Sequence, residues 1–240
     1  MRSKKTTKVT ALKCKGAEKS INMTKVIKKC SFSVQTGEMA TIYSPVGDGK
    51  TTLAKMICGL VPPSEGSITV RGRVAGYKTN ALVSYQPETP YVNYENTVND
   101  LLNIYKSFFR DFRAKRAVRL LKSFGIRARE KFINISDSDI RIIQIIMASS
   151  RKAVLFVFDN PLNGTDKKYH KAILETISDC KKYGGVVLLT SKAYTYLEDY
   201  TEKVGFIRRG ELSLYEDIER IPKIYGKNIT QLYKEVYRNV

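Results

Sequence analysis

Ser44-Pro45-Val46-Gly47-Asp48-Gly49-Lys50-Thr51-Thr52 lies between an apolar run, Met39–Tyr43, and a segment with Leu53, Met56, Ile57 and Leu60 at helical spacing. The run reads as a strand and Thr52–Leu60 as a helix. A GxxxxGK[ST]-like stretch in that setting carries a mechanism. Glycines let successive backbone N–H groups turn inward around phosphate oxygens, and the helix N-terminus adds partial positive charge. Ser44, Gly47, Asp48, Gly49, Lys50, Thr51 and Thr52 are therefore the expected phosphate-binding residues. Lys50 would reach the β- and γ-phosphates, and the Thr51 hydroxyl would bind Mg²⁺. Ser44 stands where the pattern has its first glycine; the strand–loop–helix setting is intact.

A second Mg²⁺ ligand is expected as an acid closing a buried apolar strand. Asp159 follows Val154-Leu155-Phe156-Val157-Phe158 and fits that description, although an acid there could also cap a following helix. Val83–Tyr85, Ala153–Phe158 and Val186–Leu189 read as further strands, the last after the turn signal Gly184-Gly185. Ala114, Ala117, Val118, Leu121 and Phe124 form one apolar helical stripe, ending at Gly125, and Tyr169, Ile173, Ile177 and Cys180 form another. Alternating short runs and helical stripes predict an α/β fold. The stretch from about 90 to 150 reads as mainly helical, inserted between strands.

Charge is distributed unevenly. The chain has 42 Lys and Arg against 23 Asp and Glu, a net +19. Residues 1–30 contribute +9 and residues 104–131 contribute +8, so the surplus is two local surfaces and not a coat. No apolar run approaches the ~18–20 residues needed to span a bilayer. The basic N-terminus is not followed by the apolar core of a secretory signal. Cys14, Cys30, Cys58 and Cys180 form no CxxC pair, and His170 is the single histidine, which disfavours a zinc site. Free thiols in a reducing, cytoplasmic setting are expected.

Taken in order, these residues resemble the ATP-binding subunit of an ABC transporter over nearly the whole chain. Ile57–Ile68 is similar to the family's stretch after the phosphate loop. Glu88 falls at the Q-loop position, with Gln86 as a rival. Ile135-Ser136-Asp137-Ser138-Asp139 occupies the slot of the LSGGQ signature, with 23 positions from Ser136 to Asp159. Asn163-Gly164-Thr165-Asp166 takes the D-loop position. The layout from 90 to 131 and the tail Tyr225–Ile229 are most similar to subunits of ABC-2-type exporters. The resemblance implies a P-loop NTPase of the ABC type, one nucleotide-binding domain over residues 1–240. It would have a mixed sheet, a helical subdomain at about 90–150 and a short C-terminal extension at about 211–240. It implies ATP and Mg²⁺ as cofactors, with Thr51, Asp159 and Glu88 toward the metal. It also implies a transmembrane subunit and a second nucleotide-binding subunit, identical or different, as partners at the inner face of the cell membrane. Lys106, Arg110, Arg113, Lys115, Arg116 and Arg119 either form a solvated helix face or offer an anionic membrane surface a contact. No motif points to nucleic acid.

Several positions depart from the family's pattern. Residues 1–31 contain no aromatic side chain to stack on adenine. Asn160 replaces the glutamate that helps the attacking water, and Ser191 replaces the switch histidine. Asp137 and Ser138 replace the signature glycines, placing acid where a partner's γ-phosphate would sit. Those acids also suit the N-terminus of a helix starting near Ile140. Nucleotide binding with weak or absent hydrolysis is the expectation, either in an exporter's ATPase subunit or in a nucleotide-gated regulatory subunit.

Overall fold

The computed structural model describes residues 9–238. The chain opens with a hairpin, β1 (Thr10–Ile21) and β2 (Thr24–Gln35). Its turn is Asn22-Met23, both at positive φ (46° and 64°), the two-residue geometry whose twist matches its flanking strands. There follow β3 (Met39–Tyr43), α1 (Lys50–Ile57), β4 (Glu65–Val70), β5 (Arg73–Val74) and β6 (Val83–Gln86). Three helices come next, α2 (Val98–Phe108), α3 (Ala114–Ser123) and α4 (Asp137–Ser149). The chain then returns to the sheet as β7 (Leu155–Asp159), α5 (His170–Ser178), β8 (Gly185–Thr190), β9 (Lys203–Arg208) and β10 (Glu211–Asp217). It closes with α6 (Ile221–Tyr225) and α7 (Ile229–Val236).

The ten strands lie in the order β5-β4-β1-β2-β10-β9-β3-β8-β7-β6. Strands β9, β3, β8, β7 and β6 run parallel, while β5, β4, β1 and β2 pair antiparallel. Strand β10 joins the halves, antiparallel to β9 and parallel to β2 through Glu211 and Lys28. The sheet is mixed, as expected, and residues 211–217 belong to it.

The parallel strands read as unbroken apolar runs because both faces are covered. Tyr43, Phe156, Phe158, Val186 and Leu188 face a core completed by α2, α3, α4 and α5. The alternate residues Ile42, Leu155, Val157, Val187 and Leu189 face a second core. There α1 inserts Leu53, Ala54, Met56 and Ile57, all fully buried. Burying each of the larger side chains favours this packing by roughly 1.5–3 kcal/mol. Helix α1 stops short of Leu60 because Gly59 turns at φ 70°, with its Cα hydrogen facing the Gly76 backbone. A Cβ there would lie 2.3 Å from the Gly76 nitrogen.

Candidate nucleotide site

The predicted site residues lie just beyond the carboxyl ends of adjacent parallel strands β3, β8, β7 and β6, with Asp159 the last residue of β7 and Lys50, Thr51 and Thr52 in the first turn of the helix that follows β3. That is where an open α/β sheet places its ligands. Strand β3 leads into the phosphate loop. Gly47 and Gly49 hold positive φ (91° and 93°), so the loop curls before Lys50 begins α1, and Thr52 lies within that helix's first turn. Two contacts fix the loop from outside. The Asp48 carboxylate accepts a hydrogen bond from the Arg209 backbone N–H (2.7 Å), in the turn between β9 and β10. The Ser44 N–H donates to the Thr190 carbonyl (2.9 Å) at the end of β8.

At the end of β7, Asp159 is fully buried. Its Oδ2 accepts the Thr51 hydroxyl (2.8 Å), and its Oδ1 has no protein partner. Burial raises its pKa above the ordinary carboxylate value; Thr51 and the Lys50 charge oppose that shift, and Glu88 adds to it. A buried, half-satisfied carboxylate beside a hydroxyl fits a hard cation. Among the described residues, no group of three or more His, Cys, Asp or Glu could hold a metal ion. Mg²⁺ in nucleotide sites takes one or two carboxylates and completes its shell with phosphates and water.

Glu88 faces this centre. Its Oε2 is 3.9 Å from the Lys50 ammonium, and its Oε1 accepts the Asn160 amide (2.7 Å) and, more weakly, the Asn163 amide (3.4 Å). Its backbone carbonyl accepts Arg141 of α4 (2.6 Å). Gln86 is buried, with its amide turned onto the Pro87 carbonyl. Of the two Q-loop candidates, Glu88 is the one next to Lys50.

Asn160 adopts φ 49°, a conformation asparagine tolerates better than most residues. Its Nδ2 donates to Glu88, and its Oδ1 accepts the Ser191 backbone N–H (2.8 Å). Ser191 thus meets Asn160 through its backbone. Its carbonyl accepts the Tyr233 hydroxyl (2.7 Å) from α7. One helical turn on, the Tyr237 hydroxyl lies 2.8 Å from the carbonyls of both Tyr43 and Ile207 and shares its single proton between them. Arg141, Asn163, Tyr233 and Tyr237 were not expected in this frame. Only Asn163, inside the D-loop match, carried a local signal.

The signature slot is occupied by a helix cap. Ser136 is the N-cap of α4, its hydroxyl accepting the Asp139 N–H (3.1 Å) and donating to the Asp139 carboxylate (2.9 Å). The helix begins at Asp137, three residues before the expected start, because Ser136 supplies the cap. One expectation needs correcting: Arg113 and Arg116 are not free to face a membrane. Arg116 pairs with Asp179 (3.1 Å), and Arg113 donates to Tyr183 and to the carbonyls of Ser149 and Arg151. Lys106, Arg110, Lys115 and Arg119 remain exposed. Residues 1–8 of the N-terminal basic segment lie outside the described residues.

A phosphate loop opening α1, an acid ending β7 and a mixed sheet define an ATP-binding cassette. Residues 27–163 match the family model described as ABC transporter, so this chain belongs to the ABC transporter family, as an ATP-binding subunit. The linearmycin resistance ATP-binding protein LnrL of Bacillus subtilis (strain 168) is 29% identical over 230 residues, covering 92% of this chain and 74% of that protein. The solved ATP-binding subunit of an ABC transporter superposes with a TM-score of 0.86 at 25% identity, covering 94% of this chain and 99% of the other. An ATP-binding cassette solved as a post-hydrolysis dimer with ADP and Pi shares the fold, at TM-score 0.76 and 18% identity over 86% of this chain and 98% of that one. Among the described residues, no helix is long and apolar enough to cross a membrane.

Proposed function

We propose that this chain, one nucleotide-binding unit over residues 1–240, binds Mg-ATP and couples it to a transmembrane exporter subunit while hydrolysing it weakly. The observation that supports weak hydrolysis is the state of Asn160. An amide could orient water through its carbonyl oxygen, but here that oxygen is engaged by Ser191 and the NH₂ by Glu88. It cannot accept a proton in any case, and general-base help is worth roughly 10²–10⁴ in rate. Lys50, Thr51, Asp159 and Glu88 would hold the nucleotide and its metal; Mg²⁺ would supply charge neutralisation at the phosphates. The signature slot adds to the deficit in a dimer, since Asp137 and Asp139 would bring acid toward the partner subunit's γ-phosphate.

The membrane partner has an apolar site to meet. Tyr91, Ile104 and Phe108 are exposed around a groove at the start of the helical region, next to the exposed Lys106 and Arg110. Resistance to a compound is one outcome of exporting it, so the relative named for linearmycin resistance supports the exporter direction. A subunit of this kind works at the inner face of the membrane, in a pair with an identical or different cassette. Phosphate release with Mg-ATP, beside a Lys50→Ala control, tests the reading. We expect Lys50-dependent nucleotide binding with turnover well below about 1 s⁻¹, the low end of ordinary enzymes. Lys50-dependent turnover above that rate would overturn weak hydrolysis.

A further inference from the structure

The Glu88 carboxylate accepts the Asn160 amide at 2.7 Å and the Asn163 amide at 3.4 Å, and the Lys50 ammonium stands 3.9 Å from its other oxygen as an ion pair. Lysine at this position of a phosphate loop serves the β- and γ-phosphates. An anionic side chain is therefore paired with the lysine that would serve the γ-phosphate. The carboxylate does not leave easily. Pro87 and Pro90 restrict the backbone on either side, and Arg141 ties the Glu88 carbonyl to α4. Rotating the side chain away would give up both amides and the pairing with Lys50.

We propose that Glu88 makes triphosphate binding conditional on a divalent cation. Without metal, its charge opposes the γ-phosphate and competes for Lys50. With metal, the same charge becomes an attraction, because Glu88, Thr51 and the unpartnered Oδ1 of Asp159 face a cation shared with the phosphates. An amide at position 88 could do neither to the same degree, since it carries no charge. ADP, which lacks the γ-phosphate, escapes most of the conflict. Glu88 thus tunes both metal dependence and the choice between di- and triphosphate. This rests on the nucleotide-binding reading above.

The test is equilibrium titration of the full chain with ATP and with ADP, each in excess Mg²⁺ and in EDTA, for wild type, Glu88→Gln and Lys50→Ala. In wild type, removing Mg²⁺ should weaken ATP at least about 100-fold and ADP about 10-fold or less, given one unit charge within a few ångströms of the γ-phosphate. Glu88→Gln retains an acceptor for Asn160 and should tighten metal-free ATP by about 10–100-fold while weakening Mg-ATP, so that the metal dependence of ATP binding shrinks from both sides. Two results would overturn the proposal: ATP and ADP equally metal-dependent in wild type, or metal-free ATP affinity unmoved by Glu88→Gln. The first needs no variant, so a misfolded mutant cannot hide the answer. Lys50→Ala binding Mg-ATP as tightly as wild type would instead overturn the nucleotide site itself.

Discussion

At Asn160 and Glu88, an amide and a carboxylate face one another. The resemblance implies a glutamate where Asn160 stands, just after Asp159; here the nearby acid is Glu88, beyond the end of β6, and the two are hydrogen-bonded at 2.7 Å. Exchanging the two groups is therefore informative. Asn160→Glu alone sets two carboxylates in contact and forces a less tolerant residue into φ 49°, at a cost of about 1–3 kcal/mol. Asn160→Glu with Glu88→Gln removes the repulsion. We expect the double variant to raise Mg-ATP turnover by up to about 10²–10⁴-fold and the single variant to raise it much less. A double-mutant cycle on kcat, with the Lys50→Ala background as zero, measures that coupling. Equal rates in single and double variants would show that the two residues do not act as a pair.

At the scale of elements, what could be read in advance follows how each element is buried. Strands β3, β7 and β8, covered on both faces, announced themselves as apolar runs, and β3 was placed to the residue. Strands β1 and β2 did not, for a physical reason. Lys13 and Lys15 face solvent while Leu12 and Cys14 face the core, and a register shift between Cys14 and Ala17 breaks the alternation at Gly16. The phosphate loop was legible because its chemistry is local. The Glu88–Asn160–Ser191 chain was not, since its members meet only when the ends of β6, β7 and β8 are side by side. His170, opening α5, is a second such case. Its Nδ1 lies 2.5 Å from the Tyr196 hydroxyl and its Nε2 3.3 Å from the Thr165 carbonyl in the D-loop. Burial chiefly, with Lys167, lowers its pKa against the pull of the Thr165 and Leu162 carbonyls. The unfolded chain therefore binds this proton more readily than the folded one. The stability it confers is complete above the ordinary value near 6.5 and is lost as pH falls through the lower folded value. The urea midpoint should drop between about pH 7.5 and pH 5.5, and His170→Gln should flatten that part of the profile. An unchanged slope in the variant would assign the effect elsewhere.

Over the whole molecule, the +19 charge separates into structural and free parts. Arg113 and Arg116 are engaged against α5, the carbonyls after α4 and the segment before β8, so reversing them would test folding. The exposed Lys106, Arg110, Lys115 and Arg119 are the residues to change. Each free basic charge near an anionic leaflet contributes up to ~1 kcal/mol. Reversing all four should reduce adsorption to phosphatidylserine-containing vesicles by about tenfold or more at physiological salt, with Tm little changed. Adsorption that survives the change would remove this surface from membrane contact.

The two tyrosines of the C-terminal end link the chain's last turns to its chemistry. Tyr237 braces the carbonyl of Tyr43, one residue before the phosphate loop, and Tyr233 braces that of Ser191. Proteolytic loss of the segment after the exposed Lys223 would remove both struts while leaving the phosphate-loop residues in the chain. Ageing of a purified sample at its tail would then present as fading nucleotide affinity, and mass spectrometry of the intact chain belongs beside every binding curve.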